Sequence, residues 1–268
     1  MYPAVVTSTG QAHAPPAFVR LAAHPLRWHL LTALTEGDLR VRELVDLVNE
    51  PQNLVSYHLG LLREGALVTA TRSSHDGRDS YYHLDLDRCS DALSQTGAAL
   101  HPALHPYRGE GAGAPPSQGG RERSRPGEVL FVCTGNSARS PIAEALLRYH
   151  GADDVRVTSA GTHPKPQLHP YAVRVLGEQF GIEVADQHPR HLDSVATRRF
   201  GRVVTLCDKA REVVPAFANH PRRMHWSIPD PATAGDSDQA HYRAFEQIAA
   251  GIDTRVRHLL PTLTSTNH

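Results

Sequence analysis

The sequence predicts two domains of different class: a mainly helical winged helix-turn-helix domain, then an α/β domain on a four-stranded parallel sheet flanked by helices. Three observations carry this reading. Residues 101–126 are so rich in Gly, Pro and charge that they cannot bury a core, which makes them a flexible linker. After them, short apolar runs alternate with helical stretches, as a parallel sheet with crossover helices requires. Before them, helical periodicity gives way to two strand-like runs around a turn signal. The domains are therefore expected at 15–100 and 127–265, with 1–14 a disordered tail.

In the first domain, residues 26–34 and 41–48 carry apolar side chains at helical spacing. After the break at Asn49-Glu50-Pro51, residues 53–62 give a third helix that ends near Gly65. Two helices across a tight turn, the second polar on one face, form a helix-turn-helix pattern. Residues 66–71 and 80–84 then read as strands around Asp76-Gly77, a hairpin that would serve as the wing.

In the second domain, strands are expected at 129–132, 155–159, 203–207 and 224–226, and helices at 141–150, 170–180 and 239–260. The last helix sets Tyr242, Phe245, Ile248, Ile252 and Val256 on one face, which is a core face. Between the first strand and first helix lies Cys133-Thr-Gly-Asn-Ser-Ala-Arg-Ser140, with Pro141 marking the helix start. A Cys-x5-Arg loop in that setting wraps backbone N–H groups around a tetrahedral oxyanion: Thr134, Gly135, Asn136, Ser137, Ala138 and Arg139 would cradle it. Arg139 offers a planar fork for two oxygens, and the helix dipole with Arg139 should lower the Cys133 thiol toward a thiolate nucleophile. Ser140 can donate to that thiolate, and Asn136 can brace unusual backbone angles. A carboxylate at Asp230, stiffened by Pro231, could protonate a leaving oxygen.

Composition limits the partners. Arg outnumbers Lys 26 to 2, yet acids and bases balance, so net charge does not announce nucleic-acid binding. Three cysteines (Cys89, Cys133, Cys207) without paired spacing fit a reducing cytoplasm. No signal peptide is visible, and no apolar run is long enough to span a bilayer, so no membrane partner is expected.

The segments LAAHPLRWHLLTAL, VSYHLGLLREGALV and SYYHLDL in 21–86 resemble the ArsR/SmtB family of winged-helix repressors. That resemblance implies a homodimer, formed through this domain, on two-fold operator double-stranded DNA. Gln52, Asn53, Ser56, Tyr57 and His58 would face the major groove, and Arg72 and Arg78 on the wing would reach phosphate or minor groove. Winged helices also serve as protein–protein modules. Arsenical-sensing members carry thiols in the stretch matching 40–45, where this chain has none. Asp87, Cys89, His101 and His105 only faintly echo the zinc-sensing pattern, and no metal site is assigned.

Residues 128–262 resemble the low-molecular-weight tyrosine phosphatase superfamily and, within it, the arsenate reductase branch. The Cys-x5-Arg loop with Asp230-Pro231 about one hundred residues later carries the first resemblance. Ser159-Ala-Gly-Thr-His-Pro164, the run from His169 to Leu176, Thr205-Leu-Cys-Asp208 and Asp-Pro followed by Ala232-Thr233 carry the second. Pro141 is the more phosphatase-like feature. The resemblance implies Cys133 attack on arsenate, an Asp230 general acid, and a second thiol that releases arsenite. Cys207 is the internal candidate, or else a buried strand-end cysteine. The third cysteine of thioredoxin-linked relays falls at Val214, so either a Cys133–Cys207 disulfide would be reduced directly or an external low-molecular-weight thiol with a glutaredoxin-like protein would take the adduct; that thiol system or thioredoxin is the expected reductant, with no cofactor bound. The expected function is thus a bifunctional transcriptional regulator and arsenate reductase. Its alternatives are a tyrosine phosphatase, or a repressor whose second domain senses oxyanions or thiols.

Overall fold

The computed structural model describes residues 14–75, 77–101, 104, 128–152, 155–184, 186–217, 221–234 and 237–264. The tail expected at 1–14 and the linker at 101–126 lie almost wholly outside these residues, as does His105.

Five helices and a small sheet make the first unit: α1 (Ala17–Ala22), α2 (Pro25–Ala33), β1 (Leu39–Arg40), α3 (Val41–Val48), α4 (Gln52–Glu64), β2 (Val68–Arg72), β3 (Ser80–Leu84) and α5 (Leu86–Leu100). Pro25 opens α2 under a His24 cap, and Asn49 closes α3 in the left-handed conformation, where its short polar side chain is tolerated. Leu30, Leu44, Val55, Leu59 and Leu62 bury completely between α2, α3 and α4. β2 and β3 pair antiparallel from Val68↔Leu84 to Arg72↔Ser80, and β1 adds to the far side of β3.

The second unit runs β4 (Val129–Cys133), α6 (Arg139–Gly151), β5 (Val157–Gly161), α7 (Pro170–Phe180), β6 (Arg202–Thr205), α8 (Asp208–Val213), β7 (Arg222–His225) and α9 (Asp238–Thr264). Its sheet is parallel throughout, in the order β5-β4-β6-β7. β4 is buried along its whole length because helices cover both faces, which explains an apolar run without alternation. On α9, Phe245, Ala249, Ile252 and Val256 are fully buried, at the spacing that keeps one helical face on the core. Tyr242 and Ile248 pack at the edge of that stripe. Among the described residues no helix is long and apolar enough to cross a membrane.

Several boundaries differ from the sequence reading, among them β6, which ends at Thr205 rather than Cys207, and β7, which begins at Arg222 rather than Met224. β5 begins two residues later than expected, because its pairing with β4 starts at Val129↔Val157 and runs on through small residues to Gly161. α6 begins at Arg139 rather than Pro141, so the last two residues of the cysteine loop already belong to the helix. α1, α5 and α8 were not anticipated. α5 buries no residue fully and leaves Leu93 and Leu100 exposed, and Asp85 caps it by accepting from the Arg88 N–H.

The two units meet through buried carboxylates. Asp38, before β1, accepts from the Ser227 N–H at 2.7 Å and from Arg255 at 2.8 Å, and its own N–H donates to the His225 carbonyl. Asp208, 1% exposed, accepts from the Ser74 hydroxyl and Ser227 hydroxyl, each at 2.9 Å, and faces His225 Nε2 at 3.1 Å. Gly37 sits at φ 134°, and a Cβ there would lie 2.9 Å from the His225 carbonyl oxygen, so glycine is required where the chains touch.

Burial alone would push the Asp208 carboxyl up, but hydrogen bonds from His225, Ser74 and Ser227 outweigh it and hold the group well below the usual carboxylate range. An unfolded Asp titrates near pH 4. The stabilisation Asp208 supplies is therefore complete above about pH 4 and drains away as pH falls below it. Thermal unfolding of Asp208→Asn followed between about pH 5 and 2.5 should lose that part of the acid dependence; a profile parallel to wild type would refute the assignment.

Candidate active site

β4 delivers Cys133 to the carboxyl end of the sheet, the position at which open α/β sheets bind ligands. The loop from Cys133 to Arg139 then curls beneath a cavity of about 560 Å³. Thr134, Gly135, Ser137 and Ala138 line it, with His163, Lys165 and His169 across the mouth.

The loop's carbonyls show how its amides are aimed. The carbonyls of Cys133, Thr134, Gly135 and Ser137 accept N–H groups from Thr162, His163, Lys165 and His169 respectively. Because a trans peptide sets C=O and the next N–H in opposite directions, the N–H groups of Thr134, Gly135, Asn136 and Ala138 are turned away from that segment. They form a concave set of donors suited to an anion. Asn136 takes a left-handed backbone, φ 44°, to close the curl. Its side-chain amide donates to the Ser140 hydroxyl at 2.9 Å and the Ser159 hydroxyl at 2.8 Å, and accepts from the Arg190 N–H at 2.8 Å.

Cys133 Sγ lies 3.0 Å from Ser140 Oγ and is 2% exposed. Here the sequence expectation is corrected. Burial pushes the Cys133 thiol up, and the Arg139 guanidinium and the Ser140 hydrogen bond oppose that push without overturning it. Enclosure that deep outweighs one nearby cation. Arg139 itself donates to the Ile228 carbonyl at 3.1 Å and pairs with Asp230 at 2.8 Å, leaving its Nε unbonded. Asp230 is half exposed, and its other oxygen accepts from the Ala232 N–H, which fixes the carboxylate over the mouth. Cys207 is buried behind the loop, its Sγ 3.3 Å from the Thr134 hydroxyl.

A nucleophilic sulfur, a cationic fork, a converging set of amides and a carboxylate above them can together hold a tetrahedral oxyanion and exchange one of its oxygens for sulfur. Cys133, Thr134, Gly135, Ser137, Ala138, Arg139 and Asp230 line one pocket, while Asn136 and Ser140 are buried and hydrogen-bonded behind the loop and Cys207 contacts Thr134. Lys165, His163, Ser159 and Arg190 were missed. Lys165 is one of only two lysines in the chain, a signal that could have drawn notice. Ser159 and Arg190 act through Asn136; Ser159 and His163 stand in the Ser159–Pro164 run that carries the resemblance, yet neither was given a role there.

The other sequence-named residues lie on the first unit, away from this pocket. Gln52, Asn53, Ser56 and Tyr57 are exposed along α4. His58 is not: it is buried against the His24 ring, 4.3 Å between centroids, where burial lowers its pKa with help from His24 and Arg27. It packs between helices α4 and α2 and offers no groove-facing group. Arg72 and Arg78 are exposed on the hairpin, Arg72 donating to the Gly77 carbonyl. Burial pushes the half-buried Cys89 thiol up to about 11, as befits a packing residue. Among the described residues no group of three potential metal ligands converges.

The chain belongs to the low molecular weight phosphotyrosine protein phosphatase family, whose model matches residues 128–268. Within it, the C-terminal half is an enzyme domain of the arsenate reductase kind. It is 33% identical over 134 residues to the arsenate reductases of Halalkalibacterium halodurans and of Bacillus subtilis, in each case covering 50% of this chain and 95% of the relative. Among solved structures, an arsenate reductase in its phosphate-binding state is 26% identical with a TM-score of 0.45, covering 51% of this chain and 98% of that one.

Removing the Ser140 hydroxyl takes away one of the two groups that oppose the rise of the Cys133 thiol. In a chain whose other thiols are replaced (Cys89→Ser, Cys207→Ser), Ser140→Ala should shift the pH midpoint of iodoacetamide alkylation of Cys133 upward. A downward shift, or none, would remove Ser140 from the thiol's electrostatics.

Proposed function

We propose that this chain reduces arsenate to arsenite through a covalent Cys133 adduct and joins that activity to an operator-binding module. The observation that carries the enzymatic part is the pairing of Arg139 with Asp230 at 2.8 Å, directly over the Cys133 loop. The oxyanion takes the Arg139 fork and the loop amides, displacing the carboxylate. Cys133 sulfur attacks arsenic, and its thiol proton, relayed through the freed Asp230 carboxylate, reaches the hydroxyl oxygen that departs as water. A second thiolate then attacks Cys133 Sγ: an S–S bond forms, the S–As bond breaks, and its electron pair leaves with arsenic as arsenite. Cys207, buried one hydroxyl away from the loop, is the internal thiol for this step, and an external thiol reductant, either thioredoxin or a small thiol with a glutaredoxin-like protein, restores the dithiol. The same apparatus would hydrolyse aryl phosphates as a side activity, water replacing the second thiol.

The operator-binding part rests on the α3–α4 pair, the β2–β3 hairpin and the exposed Gln52, Asn53, Ser56 and Tyr57 of α4, with Arg72 and Arg78 on the hairpin as phosphate contacts. A two-fold operator requires a homodimer built through this unit.

Arsenite formation by the purified chain, with thioredoxin or with glutathione plus glutaredoxin supplied in turn, tests the enzymatic reading. Cys133→Ser should abolish turnover, and Arg139→Lys should lower kcat/KM by about 100- to 1000-fold, as loss of a preorganised oxyanion donor does. Cys207→Ser should stop thioredoxin-supported turnover. Aryl phosphate hydrolysis without any arsenite would transfer the assignment to a phosphatase. For the DNA-binding part, Asn53→Ala with Ser56→Ala should weaken a gel shift with the chain's own promoter DNA while leaving arsenate turnover intact; equal shifts would dismiss these contacts.

A further inference from the structure

A second cavity, of about 550 Å³, lies between the two units and shares no lining residue with the Cys133 pocket. Its size falls within the range of small-molecule sites. Leu34, Leu84 and Leu86 supply its walls from the first unit, and Met224, Trp226 and Leu259 from the second. Three arginines also face it, and they are not equally partnered. Arg222 donates to both oxygens of Glu36, at 2.8 and 3.1 Å, and Arg255 is gripped by Asp38. Arg202, only 7% exposed at the start of β6, has a single hydrogen bond, from one terminal nitrogen to the Thr262 hydroxyl at 2.9 Å. Among the described residues no carboxylate pairs with it.

Buried guanidinium groups are ordinarily matched by an anion, because taking a charge out of water without one is costly. Burial, reinforced by neighbouring Arg222, lowers the Arg202 pKa although Glu36, already held by Arg222, opposes it, as fits a cation short of a counter-charge of its own. A second polar group is also unmet: His83 Nδ1 is buried without a hydrogen bond, 3.9 Å from the Asp38 carboxylate, while its Nε2 meets the Thr69 hydroxyl. Three arginines against Glu36 and Asp38 leave one positive charge over in a chamber whose remaining walls are largely apolar, with Thr35, Thr262, His83 and His258 among them.

We infer that this cavity is a binding site for an organic monoanion, an apolar body carrying one carboxylate or sulfonate group that meets Arg202. The body lies against Trp226 and the leucines of the opposite wall, so an occupant touches both units at once. A dianion would overcompensate the single surplus charge, and a neutral molecule would leave Arg202 unmatched.

The test uses the full-length chain and two dyes that share an apolar body: 1-anilinonaphthalene-8-sulfonate and its uncharged counterpart N-phenyl-1-naphthylamine, each followed by its own emission. The sulfonate should bind one to one and at least tenfold more tightly than the neutral dye. Arg202→Met should abolish that advantage while leaving the neutral dye unchanged. Leu86→Trp, which keeps Arg202 and narrows the chamber from the other unit, should expel both dyes. Equal affinity of the two dyes for wild type, or sulfonate binding undiminished in Arg202→Met, overturns the proposal. Should Arg202→Met not fold, Leu86→Trp decides alone, and full sulfonate binding there overturns it equally.

Discussion

The cysteine loop can aim its amides at one point only while Asn136 holds a left-handed backbone that side-chain-bearing residues rarely adopt. Such a conformation costs on the order of 1–3 kcal/mol. Three hydrogen bonds from the same side chain, each worth about 1 kcal/mol net in a buried setting, offset it. The neighbourhood is shaped to permit them. β5 carries Ser159 as one partner and ends at Gly161, where a Cβ would stand 2.8 Å from the Thr134 carbonyl oxygen and 2.9 Å from the Asn136 Cβ. The small residues of β5 are thus a consequence of the loop beside them, and the late start of that strand follows from the same requirement.

A comparable logic governs the contact between the two units. Asp38 and Asp208 are both removed from water: Asp38 takes its donors, Ser227 and Arg255, from across the interface, and Asp208 takes donors from both sides of it. Buried charges add little net attraction, since desolvation consumes most of the Coulomb gain, but a missing donor is heavily penalised. The contact is therefore more selective than strong: it fixes one orientation. Asp208 is also the residue after Cys207, so the turn that sets Cys207 beside the Thr134 hydroxyl also anchors the Ser74 end of the hairpin.

Much of this was legible in the chain, and the reasons for the remainder are physical. The β4–loop–α6 unit reads directly because an apolar strand, an oxyanion loop and a helix start each leave a local signature. The stripe on α9 reads directly because its burial has helical period. α5 escaped because its larger apolar residues, Leu86, Cys89, Leu93 and Leu100, are spread thinly among polar ones, although they recur at helical spacing. His58 was misplaced because periodicity separates an apolar from a polar face but does not say which polar residue has a ring stacked over it. The Cys133 pKa was misjudged because Arg139 is visible in the sequence, whereas depth of burial is a property of the whole fold. The interdomain carboxylates were invisible for the same reason: Asp38 and Arg255 are more than two hundred positions apart.

The remaining step concerns how one arginine can serve both the resting site and the reaction. Arg139 is almost wholly enclosed, and two of its nitrogens are engaged with Ile228 and Asp230 while Nε is unbonded. An arriving oxyanion offers a bidentate acceptor to a fork that Asp230 engages through one oxygen only, and bidentate charge-assisted pairs are the stronger kind. Exchange is therefore favourable for the arginine, and it leaves the Asp230 carboxylate beside an anion instead of a cation. In the proposed reaction the freed carboxylate then lies beside the oxyanion, placed to pass a proton to the departing oxygen. Substrate binding and the freeing of Asp230 would be the same rearrangement. That coupling depends on Asp230 being able to move: it sits on the exposed rim, held by the Ala232 N–H of a single short turn, whereas Arg139 is fixed at the base of the pocket.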